Sequence, residues 1–593
     1  MPVQLIGKKK YKQVIEVFVY TFIFAGPIID ILTSMSLNHS YITPGLVIRG
    51  ILLVVEIFYL LALCNHKRIF NTIFILLIFC SLIFTVISNF ELVKTINKEY
   101  FGFVFKYIFL CVNIIFIKST IQNYRKKVFR LFRAPFAVII LSFLFASLTN
   151  TSLATYSWGG AEGNSGWFSS PNEIGALLCC IYPFTFINAF EEDKEKPKTL
   201  RIIDLFILIS MTVIMLSIGT KAPLLGALLT LIAYFIYRLI LIGKKKITIS
   251  FIVVPILIAL SGILWGSIPA VINTNSRISK LASNTSQDYT THKGNSSNTT
   301  SNHTKMESII LNGRDEFQET IKEEQEKQEG GFFLSPARLV VQDGSILIVE
   351  RDFHDISQII GPLGLIIVLL LIMPRIIVGS VGVIHNLRNS SYHNMFLTLI
   401  SLFMTLSAAF ICGHTLLSPS VSSFFAISLA MLLNVKYSKN NKKTVVFIAS
   451  AGGHLTQILK LKPLYSEYDS YIVTEKTPIN INVDIPVRYV LYCSRNQLVS
   501  YLYKAIINIL KSTIIFSCLL PDAIVTTGAH TAIPMSLCAW LFDKKLIYIE
   551  SFSKNSSSTM TGRILYPFAD TFVVQWKKMK RVYPNAVYWG GIY

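Results

Sequence analysis

Apolar runs of about twenty residues recur along the first 436 positions of this chain, separated by short polar or basic turns. A run of that length is what an α-helix needs to cross the hydrocarbon core of a bilayer. By this criterion about twelve spans are expected, near 14–32, 44–63, 70–88, 101–118, 134–149, 172–190, 202–218, 222–242, 247–268, 357–380, 394–412 and 419–435. Only 15 % of the 593 residues are charged, against roughly a quarter in an ordinary soluble domain. The fold class follows: an all-α polytopic membrane domain over residues 1–436, then a different kind of sequence.

The charge pattern orients the spans. A net charge of +22 on one soluble face would point to nucleic acid. Here Lys and Arg instead sit in short runs such as Lys8–Lys12, Arg125–Arg133, Lys194–Arg201 and Lys244–Lys246, as loops on the cytoplasmic side do. Nucleic acid is excluded as a partner. Both termini are expected in the cytoplasm, and residues 269–355 form one large external loop. Its first part, Asn273–Thr304, is rich in Asn, Ser and Thr, which argues against fixed structure there. Lys8-Lys9-Lys10 precede the first span with no small-residue cleavage site after it, so this segment reads as a retained helix. The nine cysteines show no Cys-x-x-Cys pair, and neither a disulfide framework nor a metal site is expected.

A basic linker, 437–443, leads into a segment of different pattern, 444–593. Its apolar runs Thr444–Ala449, Ser470–Thr474, Ala523–Thr526, Leu546–Glu550 and Thr571–Gln575 alternate with helical stretches, as in a parallel sheet with crossover helices. Two of these strands end in glycine turns, Gly452-Gly453-His454 and Thr527-Gly528-Ala529-His530. Two such turns at the carboxyl edge of a parallel sheet form a crevice where ligands, phosphates among them, bind. Ordinary loop glycines beside surface histidines would give the same pattern.

The motifs Ser450-Ala451-Gly452-Gly453-His454-Leu455, Val525-Thr526-Thr527-Gly528, Ile549-Glu550-Ser551-Phe552, Thr561-Gly562-Arg563 and Tyr583-Pro584-Asn585-Ala586 occur in order along the segment. They resemble the family of the membrane-anchoring, acceptor-side subunit of the two-subunit N-acetylglucosaminyltransferase, with its capsule and exopolysaccharide counterparts. The resemblance implies a Rossmann-like domain, the N-terminal half of a GT-B glycosyltransferase. A donor-binding subunit in trans would hold most of the nucleotide sugar, a UDP-linked one. No other cofactor is implied. On this likeness Gly452, Gly453, Thr527 and Gly528 face acceptor or phosphate. His454 acts as base or orients the acceptor. Glu550 contacts sugar hydroxyls or merely caps a helix, and Arg563 binds phosphate or faces lipid headgroups.

In the membrane part, Ser170-Pro171-Asn172-Glu173, Ser217-Ile218-Gly219-Thr220-Lys221 and Phe353-His354-Asp355 with Gly361-Pro362-Leu363-Gly364 resemble segments of the O-antigen polymerase and O-antigen ligase superfamily. That likeness implies transfer of sugar chains from polyprenyl-diphosphate carriers at the outer face of a bacterial-type plasma membrane. The chemistry needs cations for the leaving diphosphate and a base for the acceptor hydroxyl. Lys221, a lone cation against the positive-inside trend, and Arg314 are the expected cations; a snorkelling lysine would account for Lys221 equally. His354 between Asp352 and Asp355 suits the base, with His414 behind it. The combined expectation is a bifunctional protein of cell-surface polysaccharide synthesis, its membrane part polymerising lipid-linked repeat units outside and its cytoplasmic part helping to glycosylate a lipid-linked acceptor inside. The alternatives are a ligase of finished glycan and a non-catalytic anchor.

Overall fold

The computed structural model describes the chain apart from residues 1, 38–42, 65–67, 89–96, 125–126, 157–161, 191–195, 242–248, 280–317, 320, 325–338, 343–344, 390–391, 412, 434–441, 479–482, 494–497 and 593. It divides into two compact units, Met1–Met373 with Leu397–Met431, and Pro374–Phe396 with Leu432–Tyr593.

The first unit is helical. Among the described residues, eight helices are long and apolar enough to cross a membrane, and a bent pair, Tyr11–Phe24 with Gly26–Ser36, makes a ninth. The pair turns through 56° where Pro27 enters the second helix and its ring, lacking an N–H, cannot continue the hydrogen-bond ladder. Three further expected spans appear as shorter helices, Asn71–Ile87, Ser250–Ile263 and Pro419–Met431. Twelve full-length spans are therefore not confirmed among the described residues. The apolar runs are where they were expected: the first of the three belongs to a helix of 21 residues, Arg68–Ser88, and the other two are described over 14 and 13 residues, against the roughly 20 a bilayer requires. The span Pro171–Phe190 is 89 % buried and Pro44–Leu63 only 28 %, so the former lies at the centre and the latter offers most of its apolar surface outward.

Two groups of charges inside this unit are paired, as a low-dielectric setting favours. Asp204 accepts two hydrogen bonds from the Arg133 guanidinium at 2.7 Å each and lies 2.7 Å from the Lys196 ammonium. Arg49 meets Asp30 and Ser420. The loop expected to begin without structure at Asn273 is instead helical over 269–279, packed through Ile268, Ala270 and Val271 against Leu224. An apolar strip ahead of the polar run supplies the contact that composition alone hid.

The second unit is built on a seven-stranded sheet with all strands parallel. The strands are β1 Thr444–Ala449, β2 Asp469–Glu475, β3 Val487–Val490, β4 Ala523–Gly528, β5 Lys545–Ile549, β6 Thr571–Val574 and β7 Val587–Tyr588. They lie in the order 3-2-1-4-5-6-7, the doubly wound arrangement whose ligand crevice opens between strands 1 and 4. Strand β1 is buried along its whole length, which is why it reads as an unbroken apolar run. Phe447, Ile472, Val525, Ile549 and Val573 form the core beneath the helices. Segment 374–396 belongs to this unit as well. Arg375 donates to Asp543 at 2.9 Å with both side chains buried or nearly so, and Asn386 donates to the Cys518 carbonyl at 3.0 Å.

Candidate functional site

In the helical unit, the turn before helix Lys221–Ile240 is fixed from three sides. Asn273 donates to the carbonyls of Glu162 at 2.8 Å and Gly219 at 3.1 Å, and accepts from Glu162 N–H at 2.8 Å. Gly219 has φ +46°, and a Cβ there would lie 2.4 Å from the Glu162 carbonyl oxygen. Only glycine fits both conditions. The turn aims Lys221 into a cavity of about 750 Å³, the size of an ordinary small-molecule site. Lys221, Arg277, Glu350 and Asn172 give it polar groups, while Leu225, Leu229, Phe403, Met404 and Ile411 form an apolar wall. Asn172 opens the helix Pro171–Ile181, whose Ser170 Oγ caps the N–H of Glu173 at 3.3 Å. Two of the segments singled out from sequence, Pro-Asn-Glu and Gly-Thr-Lys, thus meet at one cavity.

Glu350 lines the cavity's polar side, and His414 stands beside Glu350. Both have positive φ, +61° and +51°, a conformation that costs such residues free energy and clusters at working sites. His414 Nε2 is 3.5 Å from Glu350 Oε1, and the hydrogen bond to Glu350 raises the imidazole above its ordinary value despite burial. Behind them, Asp352 accepts from the N–H groups of Thr415 at 2.9 Å and Leu416 at 2.6 Å. Asp355 accepts from Val349 N–H at 3.2 Å. Burial pushes the Asp352 carboxyl up to about 7, with neighbouring Asp355 adding to the rise and the two N–H donors opposing it.

This gives a pH prediction. A carboxyl raised in the folded state binds a proton that the unfolded chain releases near pH 4. Its stabilising contribution is whole below that pH and is lost as pH rises through about 7. Asp352→Asn keeps the acceptor oxygen without titrating. Thermal melts from pH 4 to 8 should show the wild type losing a few kcal/mol relative to this variant by pH 7, then running parallel; parallel curves throughout would refute the assignment.

Of the residues expected from sequence here, Lys221 lines the cavity. Arg314 lies outside the described residues. His354 is half-buried on the helix Asp352–Ile359 with Nδ1 3.8 Å from Asp355 Oδ1, and it is not among the lining residues. Arg277 and Glu350 are functional candidates that sequence reading missed.

In the α/β unit the two glycine turns stand where expected, after β1 and β4. The His454 ring Nδ1 is 2.8 Å from the Thr527 carbonyl, and Thr527 Oγ1 donates back to the His454 carbonyl at 2.9 Å. A carbonyl can only accept, so Nδ1 carries the proton and Nε2 is the basic nitrogen of the neutral ring. Glu475, at the end of β2, joins both turns. It accepts from Ala451 N–H at 3.3 Å and Thr531 Oγ1 at 2.7 Å, and lies 3.3 Å from His530 Nε2. Burial raises its carboxyl, but these partners outweigh burial and hold it below the ordinary value.

A cleft of about 430 Å³ is lined by Gly453, His454, Gln457, Ser551, Phe552 and Ser553. Gly452 has φ +95°, and neither Gly452 nor Gly453 has any atom within 4 Å of where a Cβ would stand. The space above the turn is open to a ligand. Glu550 is elsewhere engaged: its carboxylate accepts from Ser551 N–H at 2.9 Å, Thr559 Oγ1 at 2.9 Å and Tyr583 Oη at 2.8 Å. It is 1 % exposed, which places it as an internal clamp on the Thr559 turn, so sugar hydroxyls do not reach it in this arrangement. Arg563 donates to Ser558 Oγ at 2.9 Å on the surface. Gly528 packs under Tyr548 and supports the turn from below.

Comparison with known proteins accounts for both units. Residues 12–438 match the family described as O-antigen ligase like membrane protein. Residues 433–592 match oligosaccharide biosynthesis protein Alg14 like. Among curated proteins, the UDP-N-acetylglucosamine transferase subunit ALG14 of Homo sapiens is 25 % identical over 203 residues, covering 29 % of this chain and 94 % of that protein. Its counterpart in Mus musculus is 28 % identical over 178 residues, 25 % of this chain and 82 % of that protein.

Proposed function

This chain belongs to the O-antigen ligase like membrane protein family, and we propose that its membrane unit polymerises polyprenyl-diphosphate-linked repeat units at the outer face of the membrane. The observation that carries this reading is the cavity that sets Lys221 and Arg277 against Glu350 with an apolar wall beside them. The wall suits an isoprenoid tail, and the two cations suit a diphosphate. The acceptor hydroxyl oxygen attacks the anomeric carbon, the bond from that carbon to the phosphate oxygen breaks, and the diphosphate leaves with the electron pair. Glu350 takes the hydroxyl proton. It replaces His354 in that role because it lines the cavity and His354 does not.

The α/β unit, on this reading, faces the cytoplasm and glycosylates a lipid-linked acceptor with a donor-binding subunit in trans. The open cleft beside His454 receives the acceptor, and a UDP-linked sugar is held mainly by the partner. The names of the ALG14 relatives support a subunit role rather than a complete enzyme.

The test is the full chain in vesicles with a polyprenyl-diphosphate-linked repeat unit and no nucleotide sugar. Products of increasing length are expected, and Glu350→Gln should slow their formation about 100-fold, the scale of a lost general base. Loss by His354→Ala with an active Glu350→Gln would return the base to His354. Transfer only to an added non-carrier acceptor would replace polymerase with ligase.

A further inference from the structure

Helix Pro44–Phe58 continues into a π-helical turn, Tyr59–Leu63, and the two make one apolar element long enough to cross the membrane. It carries a single carboxyl, Glu56, one turn before the point where the helix changes type, and such π-helical turns often mark functional sites. Glu56 is 0 % exposed, and neither of its carboxyl oxygens has a hydrogen-bond partner. Among the described residues no Lys, Arg or His pairs with it. A bare carboxylate at that depth is costly. Glu16 shows the contrast within the same bundle: its two oxygens accept from Tyr59 Oη at 2.5 Å and from Asn123 Nδ2 at 2.9 Å.

The other orphan group of this region is an amide. Helix Asn97–Thr120 packs beside Pro44–Phe58, and the rings of Tyr59 and Phe116 meet at 5.1 Å. Further along, Arg49 and Lys106 both lie within electrostatic reach of Glu173. Each pair is offset by the same 57 positions, so the helices run side by side in one direction and Glu56 stands level with Asn113. Asn113 precedes Phe116 by three residues, as Glu56 precedes Tyr59, which puts each on the face that meets the other helix. Asn113 is 0 % exposed, and its amide nitrogen and oxygen are both without a partner.

One proton answers all four atoms. A carboxylate only accepts, so it leaves the Asn113 oxygen unmet, whereas a carboxylic acid donates its O–H to that oxygen and accepts from the amide N–H. The surrounding groups are otherwise engaged. Tyr20 bonds Thr120 at 3.0 Å and packs on Tyr124 at 4.7 Å, Asp30 holds Arg49, Cys64 accepts from Asn71, and Cys80 is exposed. Lys118, five residues beyond Asn113, points about 140° away round its helix. We propose that Glu56 and Asn113 form a proton-binding site inside the membrane unit, distinct from the cavity at Lys221, in which a neutral acid–amide pair ties Pro44–Phe58 to Asn97–Thr120.

Infrared difference spectra of the full chain in nanodiscs, wild type against Glu56→Gln, test this at neutral pH in sodium chloride and in choline chloride. The wild type should show one additional C=O band of a protonated carboxyl, equal in both salts and lost reversibly at alkaline pH. Glu16→Gln should leave that band in place, and Asn113→Ala should shift it to higher frequency as the acid loses its acceptor. In thermal melts the wild type should match Glu56→Gln at neutral pH and fall below it as pH rises, because the released carboxylate has no partner. Absence of the band at neutral pH would overturn the proposal, as would its loss when sodium replaces choline, which would make this a metal-cation site. Should Glu56→Gln not fold, Asn113→Ala decides alone: an unshifted carboxyl region in that variant overturns the pairing.

Discussion

Lys221→Ala should abolish glycan elongation by the membrane unit while leaving the chain folded. The ammonium sits at the start of the helix Lys221–Ile240, where the helix N-terminus adds to its field, and it opens into a cavity with a largely apolar wall. On the proposed reading, charge that develops on a leaving diphosphate would be stabilised there, and one such group is worth roughly 10²–10³ in rate. Arg277→Ala should cost a similar factor. The double variant should lose less than the product of the two, because both cations act on one anion. Lys221→Arg keeps the charge and should retain part of the rate. The measurement is product length against time in vesicles, alongside thermal unfolding. Unchanged length distributions in Lys221→Ala would remove the cavity from the reaction.

Why Lys221 was legible and Arg277 was not is a matter of background. Lys221 stands alone between apolar runs on the side where Lys and Arg are scarce, so its charge is conspicuous. Arg277 opens an Asn, Ser and Thr run whose composition argues against structure, and only the packing of Ile268 and Val271 on Leu224 keeps it helical. Glu350 precedes a more conspicuous cluster, Asp352, His354 and Asp355. What makes it a candidate is tertiary: the 413–416 loop holds it in place through Asp352. In the α/β unit the apolar strands were legible because a buried parallel strand is an apolar run. Strand β3 was not, since an edge strand such as Val487-Arg488-Tyr489-Val490 needs only one covered face. Glu475 was missed for a related reason: a carboxylate ending an apolar run looks like the start of a loop, and its three partners come from turns far away in sequence.

The two glycine turns of the α/β unit should respond oppositely to the same change. At Gly528 φ is +103°, and an added Cβ would lie 2.5 Å from Tyr548 Oη. Gly528→Val must strain the backbone and displace a buried ring that stacks on Phe572 at 4.7 Å, which should destabilise the unit by about 1–3 kcal/mol or more. At Gly453 the φ is ordinary and nothing lies within 4 Å of the added carbon. A side chain there costs the fold little, and Ala in place of Gly at a compatible backbone position stabilises by about 0.4–1 kcal/mol through the unfolded chain. Yet Gly453 lines the cleft beside His454, so the same side chain occupies the space in which an acceptor diphosphate would approach the backbone. Gly453→Ala should therefore raise the melting temperature slightly while transfer falls. Gly453→Val, which fills more of the cleft, should reduce transfer at least tenfold, the factor that about 1.4 kcal/mol of lost binding represents. Membranes containing the full chain and the proposed donor-binding subunit, supplied with a radiolabelled UDP-linked sugar and a polyprenyl-diphosphate-linked sugar as acceptor, provide the rate. Thermal unfolding of the purified chain provides the stability. Wild-type transfer by Gly453→Val would mean that the acceptor does not enter over this turn. Loss of stability in that variant equal to the loss in Gly528→Val would mean that Gly453, too, is glycine for the sake of the fold.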